Sequence, residues 1–171
     1  MNKSNIISLI GMTGVGKTTA GQILADKLNL KFFDLDQIIT EKTGKTPAEI
    51  FALYGEESFR NTETEELENI FENYNKNLIL SCGGGIVLKE KNRELLKKNS
   101  FVIWLIRPVS EIIKSPEILK RPPINNDINN YTEIFKRREK LYAETCGLKI
   151  EYTNISVAVE TIINYINNKI N

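Results

Sequence analysis

The sequence predicts an α/β fold, a parallel sheet covered by helices on both faces, and two observations carry that prediction. Short apolar runs alternate with helix-like stretches along all 171 residues, and chains with that alternation build parallel sheets. The first apolar run, Ile6-Ile7-Ser8-Leu9-Ile10, leads directly into Gly11-Met12-Thr13-Gly14-Val15-Gly16-Lys17-Thr18. A G-x-x-x-x-G-K-[ST] string between a strand and a helix is a phosphate-binding loop. Its glycines admit positive φ and turn successive N–H groups inward, while the following helix aims its positive end at the same point. Gly14, Val15, Gly16, Lys17, Thr18 and Thr19 are therefore expected to hold a nucleoside triphosphate. Lys17 would reach the terminal phosphates, and the Thr18 hydroxyl would ligate Mg²⁺.

Composition narrows the class. The length suits one domain spanning 1–171. With 23 basic and 22 acidic residues, the chain has no bulk charge to attract nucleic acid or a membrane surface. There are two cysteines and no histidine, which excludes a histidine general base and any zinc site of the usual His/Cys type. Widely spaced thiols and the lack of a signal h-region or a membrane-length apolar run lead to a cytoplasmic expectation.

The elements follow in order. Ala20, Ile23, Leu24 and Leu28 mark the helix after the loop. Lys31-Phe32-Phe33-Asp34 reads as a strand ending in Asp34-Leu35-Asp36. Strand C-termini face the ligand crevice of such a sheet, and residues two apart on an extended segment point the same way. Asp34 is thus expected to hold a water of the Mg²⁺ shell and Asp36 to face an acceptor hydroxyl; a helix N-cap is the plainer reading of Asp36. Thr46-Pro47-Ala48-Glu49 starts a short helix with a capping box. Gly55 breaks that helix, and another runs from about residue 56 towards 74. On it, Arg60 and Glu63 are one turn apart, by themselves an exposed pair of little energetic weight.

Residues 77–82 form an apolar strand that enters Gly83-Gly84-Gly85. No aspartate ends it where many phosphate-loop proteins carry one, so the metal role passes to Asp34. Three glycines at a strand end imply close backbone approach to a ligand. Cys82 reads as a small buried hydrophobe. A helix over 89–98, a strand over 101–105, and a helix starting at 109 come next, with Arg107-Pro108 between the last two. Residues 120–130 are rich in Pro and Asn without apolar periodicity; such a segment is more often a functional lid than a passive loop, and we place the lid at about 115–130, carrying Arg121. A helix over 131–144 carries Arg137 and Arg138, followed by a strand over 148–152 and an amphipathic helix over 157–169.

A phosphate loop, an acid pair, a glycine platform and three arginines (Arg60, Arg121, Arg138) suit phosphoryl transfer to a hydroxylated small acid, because the arginine fork matches carboxylate and phosphate. Over nearly its whole length the chain resembles shikimate kinases. The resemblance rests on Gly11 to Thr18, Asp34-Leu35-Asp36, Thr43-Gly44, Glu49-Ile50-Phe51, Gly55-Glu56, Phe59-Arg60 with Glu63, Gly83-Gly84-Gly85, Arg121-Pro122, and Arg138 followed by Leu141-Tyr142. It implies a three-layer αβα P-loop kinase fold with a five-stranded sheet, a substrate-binding region near 36–62 and a lid. It also implies a monomer that uses ATP and Mg²⁺ to phosphorylate the shikimate 3-hydroxyl, for aromatic amino-acid biosynthesis. Asp36 would face the reacting hydroxyl, and Arg60 and Arg138 the carboxylate. Backbone from Gly83, Gly84 and Gly85 would meet the ring hydroxyls, and Arg121 the phosphates. Where family members stack an arginine on adenine, this chain has Lys114; where they carry a proline before the leucine, it reads Arg138-Glu139-Lys140-Leu141. The rivals are a gluconate or nucleoside-monophosphate kinase of the same fold, or a GTPase, whose Asn-Lys-x-Asp is incomplete in Asn75-Lys76-Asn77-Leu78.

Overall fold

In the computed structural model, which describes residues 6–74, 77–114 and 127–170, five strands form one parallel sheet. They are β1 (Ile6–Ile10), β2 (Lys31–Asp34), β3 (Leu78–Ser81), β4 (Phe101–Ile106) and β5 (Leu148–Glu151), ordered β2-β3-β1-β4-β5. Registers such as Leu9↔Ser81 and Ile10↔Trp104 bring the ends of β1, β3 and β4 level. The phosphate loop, the triglycine, Asp34 and Arg107 therefore emerge along one edge of the sheet, the position that α/β sheets use for ligands. β1 is buried along its whole length because helices cover both faces. Helix α1 (Lys17–Leu28) crosses one face, where Gly21 leaves room for the Phe32 ring; a Cβ there would lie 2.5 Å from it. On the other face Trp104 stacks on Tyr142, ring centroids 5.5 Å apart.

Local chemistry explains most boundaries. Asn29 ends α1 in the left-handed region, a conformation Asn tolerates. Helix α3 (Pro47–Asn73) opens with the expected capping box: Thr46 accepts from the Glu49 N–H while the Glu49 carboxylate accepts from the Thr46 N–H. Within this span Gly55, at φ 81°, ψ 169°, breaks the helical backbone as expected, and two helical stretches meet there. Next come α4 (Glu90–Asn99), the single turn α5 (Val109–Ile112), α6 (Ile128–Thr145) and α7 (Ile155–Ile170).

Expectations change at two places. Helix α2 (Leu35–Thr43) starts directly after β2, and its N-cap is Asp34, whose Oδ1 accepts from the Asp36 and Gln37 N–H groups. Asp36 is therefore in the first helical turn, so the alternation of an extended strand does not relate the two acids, and the capping role falls to the other one. Asp127 caps α6, which begins at Ile128 rather than 131, so the end of the expected irregular segment is helical. The remainder of the expected lid, including Arg121, lies outside the described residues.

Candidate active site

The phosphate loop is built by backbone geometry. Gly14 and Gly16 sit at φ 83° and 87°, accessible at little cost only without a Cβ. Gly11 backs onto β4, where a Cβ would lie 2.3 Å from the Leu105 carbonyl oxygen. Gly16 is the N-cap of α1, so no side chain satisfies that helix's first N–H groups, and no acid occupies its first turn. An uncapped positive helix end facing a cavity is an anion site. The Lys17 ammonium is buried and folded back on the loop, donating to the Gly11 and Met12 carbonyls at 2.9 Å each. Gly14, Gly16, Lys17, Thr18 and Thr19 line a cavity of about 330 Å³ with Asp34 and Asp36. Val15 does not line it; its side chain is in the core and its carbonyl accepts from the Tyr152 hydroxyl.

Thr18 and Asp34 are joined across this cavity, the Thr18 Oγ1 donating to Asp34 Oδ2 at 2.7 Å. That bond leaves the hydroxyl lone pairs for a cation. One hydroxyl and one carboxylate make a sparse, hard-oxygen donor set, and no group of three or more His, Cys, Asp or Glu gathers elsewhere among the described residues. Such a set fits Mg²⁺, which keeps waters and takes its other oxygens from phosphates.

A second cleft, of about 430 Å³, opens beside the first and shares Thr13, Asp36 and Gly84 with it. Its walls come from α2, α3, α6 and the triglycine, and it brings together Asp36, Arg60, Arg138, Gly83, Gly84 and Gly85. Arg60 and Glu63 are not the exposed pair their spacing suggested: they are 8% and 0% exposed. The Arg60 guanidinium donates to Glu63 Oε2 at 2.5 Å and to Glu56 Oε1 at 3.1 and 3.2 Å, and it lies over the Phe51 and Phe59 rings. Held on every side, it keeps one orientation. Arg138 Nη1 donates to the Gly84 carbonyl at 3.0 Å, and the Tyr142 hydroxyl, one turn further along α6, donates to the same oxygen.

The glycines matter for a reason the sequence did not reveal. None of the three adopts a positive φ. A Cβ on Gly83 would lie 2.6 Å from Glu63 Oε1 and 2.9 Å from Asp36 Oδ1. One on Gly84 would lie 3.0 Å from the Thr13 nitrogen, and one on Gly85 would overlap the Arg60 guanidinium at 2.2–2.4 Å. The absent side chains let two acids, the phosphate loop and an arginine close on one another.

Burial pushes the Glu63 carboxyl up to about 7, against the pull of Arg60, and the nearby Asp36 adds to the rise. Burial also raises the Cys82 thiol, opposed by Lys17, which leaves it the inert residue expected. Lys114 lies exposed at the end of α5, donating to Glu111 Oε1 at 2.6 Å, and lines neither cavity. Sequence reasoning gave no role to Glu63 or Tyr142. Their signal was helical spacing, Glu63 three residues after Arg60 and Tyr142 four after Arg138, which puts each beside its arginine.

Comparison with known proteins gives the same picture from outside. The shikimate kinase family model matches residues 13–170. The shikimate kinase of Clostridium botulinum (strain Eklund 17B / Type B) is 42% identical over 142 residues, 83% of this chain and 84% of that one. The Enterococcus faecalis shikimate kinase is 38% identical over 164 residues, 94% and 95% of the two chains. The solved structure of an Acinetobacter baumannii shikimate kinase in complex with shikimate superposes with a TM-score of 0.86 at 32% identity, covering 98% of this chain and 96% of that one.

Proposed function

Because the chain belongs to the shikimate kinase family, we infer that it transfers the γ-phosphoryl group of ATP to the 3-hydroxyl of shikimate, giving shikimate 3-phosphate and ADP. The observation that carries this reading is the meeting of two cavities at Thr13, Asp36 and Gly84. One is shaped for phosphates and the other is lined by two arginines and two acids, Asp36 and Glu63. A donor and an acceptor bound in adjoining cavities react as if at very high concentration.

The residues divide the work. Arg60 and Arg138 hold the shikimate carboxylate, and the Gly83, Gly84 and Gly85 backbone meets the ring hydroxyls. Asp36 accepts the hydroxyl proton as that oxygen attacks the γ-phosphorus and the bond to the β–γ bridging oxygen breaks. Lys17 exchanges its loop carbonyls for phosphate oxygens and follows the transferring group. Arg121, assigned to a lid by the family resemblance, adds positive charge there. Lys114 takes the position of the adenine-stacking arginine. Thr18 directly, and Asp34 through a water, would hold Mg²⁺, which when bound neutralises charge on the β- and γ-phosphate oxygens. We place the reaction in the cytoplasm, in a monomer, serving aromatic amino-acid biosynthesis; the unpaired thiols Cys82 and Cys146 agree with a reducing compartment.

The test is a turnover screen with Mg²⁺ and ATP against shikimate, quinate, gluconate and nucleoside monophosphates. ADP release dependent on shikimate is expected. Turnover with gluconate or a nucleoside monophosphate, and none with shikimate, overturns the reading.

A further inference from the structure

Arg107 follows the last residue of β4 and lines the phosphate cavity, where it and Lys17 are the two basic side chains among the described residues. Its guanidinium is loosely held: among the described residues buried Nε has no hydrogen-bond partner, and Nη2 makes a long ion pair, 3.8 Å from Glu111 Oε2, beyond hydrogen-bond reach. Glu111 is more closely engaged elsewhere, because its Oε1 accepts from Lys114 Nζ at 2.6 Å. A fork of five donors that lines a phosphate cavity, with one carboxylate within 4 Å among the described residues and that one at 3.8 Å, can take an anion.

Its place along the phosphate loop says which part of the anion it meets. The Tyr152 N–H donates to the Ile106 carbonyl, next to Arg107, and the Tyr152 hydroxyl donates to Val15. Arg107 is close enough to that hydroxyl to offset part of the upward pKa shift that burial gives it. It therefore lies beside the loop where the loop enters α1. It does not line the acceptor cleft, so it is set apart from the junction where the phosphoryl group would cross.

We propose that Arg107 is a nucleotide-binding residue of this chain, contacting a phosphate of ATP that is not transferred, while Glu111, drawn off by Lys114, leaves it available. This rests on the reading of that cavity as the ATP site. A contact made equally in the ground and transition states lowers KM for ATP without raising kcat.

Three variants of the full chain test this, by calorimetric titration with Mg-ADP and by inhibition with tripolyphosphate, which has neither base nor sugar. Arg107→Gln is expected to weaken both by about tenfold, the scale of one charged hydrogen bond. In the same variant, kcat at saturating substrates, KM for shikimate and the melting temperature without ligand stay at wild-type values. Arg107→Lys recovers part of the loss. Glu111→Gln, which removes the competing carboxylate, tightens Mg-ADP by about threefold and serves as the test if Arg107→Gln does not fold. Wild-type affinity in Arg107→Gln, or a loss for Mg-ADP with tripolyphosphate inhibition unchanged, overturns the proposal, as does weaker binding in Glu111→Gln. A wild-type chain that binds no Mg-ADP overturns the kinase reading itself and this inference with it.

Discussion

Asp36 stands at the junction of the two cavities, in the first turn of α2, with its carboxylate against the Gly83 backbone. If it accepts the acceptor's proton, Asp36→Asn keeps the shape and removes the base. We expect kcat to fall by roughly two orders of magnitude or more while ADP affinity holds; wild-type turnover would leave Asp36 a structural role only. Glu63 makes a different prediction. Burial raises its pKa from 4.5 to about 7, so between those values the folded chain holds a proton that the unfolded chain has released. Stability contributed in this way is present below the unfolded pKa and is lost as pH rises through the folded one. Urea melts at about pH 5 and about pH 8 should show the wild type losing stability relative to Glu63→Gln. The opposite trend would mean that the ion pair with Arg60 outweighs desolvation. These two acids also show what spacing can and cannot tell. Asp36 was legible because it stands just past a strand end, where an α/β sheet presents its ligands. Glu63 was not, because i,i+3 spacing places it beside Arg60 without telling whether water reaches the pair.

At the level of elements, the triglycine after β3 sets the site's geometry. It admits Arg60, Glu63 and Asp36 from helices on one side and the phosphate loop on the other. Gly85→Ala places a methyl group in the Arg60 guanidinium. Because that group ends a flexible side chain, the arginine moves and the fold survives. KM for shikimate is expected to rise about tenfold, the scale of one charge-assisted hydrogen bond, with KM for ATP unchanged. A rise confined to KM for ATP would contradict the carboxylate role of Arg60. The three glycines could be read in the chain and so could their place after a strand. That they make room for side chains, rather than provide unusual backbone angles, depends on neighbours far away in sequence. The same holds for α6: its arginines were visible, but its start at Ile128 depends on the Asp127 cap, lost in a stretch whose composition reads as loop.

For the whole molecule, phosphate binding and folding are linked. Gly16 leaves the first N–H groups of α1 without a side-chain cap, and Lys17 is buried beside them; nucleotide phosphate would accept from both and stabilise only the folded chain. At about a hundred times its Kd, Mg-ADP should add about 2.7 kcal/mol, raising the melting temperature by roughly 5–10 °C for a chain of this size. Differential scanning calorimetry checks this, and Lys17→Ala should abolish most of the shift. An undiminished shift in that variant would place the nucleotide away from the loop.

By itself the sequence determined the class of fold, the order of strands and helices along the chain, the phosphate loop and the residues at strand ends. Each of those is written in neighbouring residues, through apolar periodicity, glycine spacing and caps. The tertiary structure alone decided that Arg60 and Glu63 are buried, that Asp34 caps the helix carrying Asp36, that the glycines yield space to side chains, and that Arg107 faces the phosphate cavity. Those depend on which surfaces meet when β3 is inserted between β1 and β2 and α6 closes over the triglycine, and burial, shared space and counter-charge are properties of that meeting.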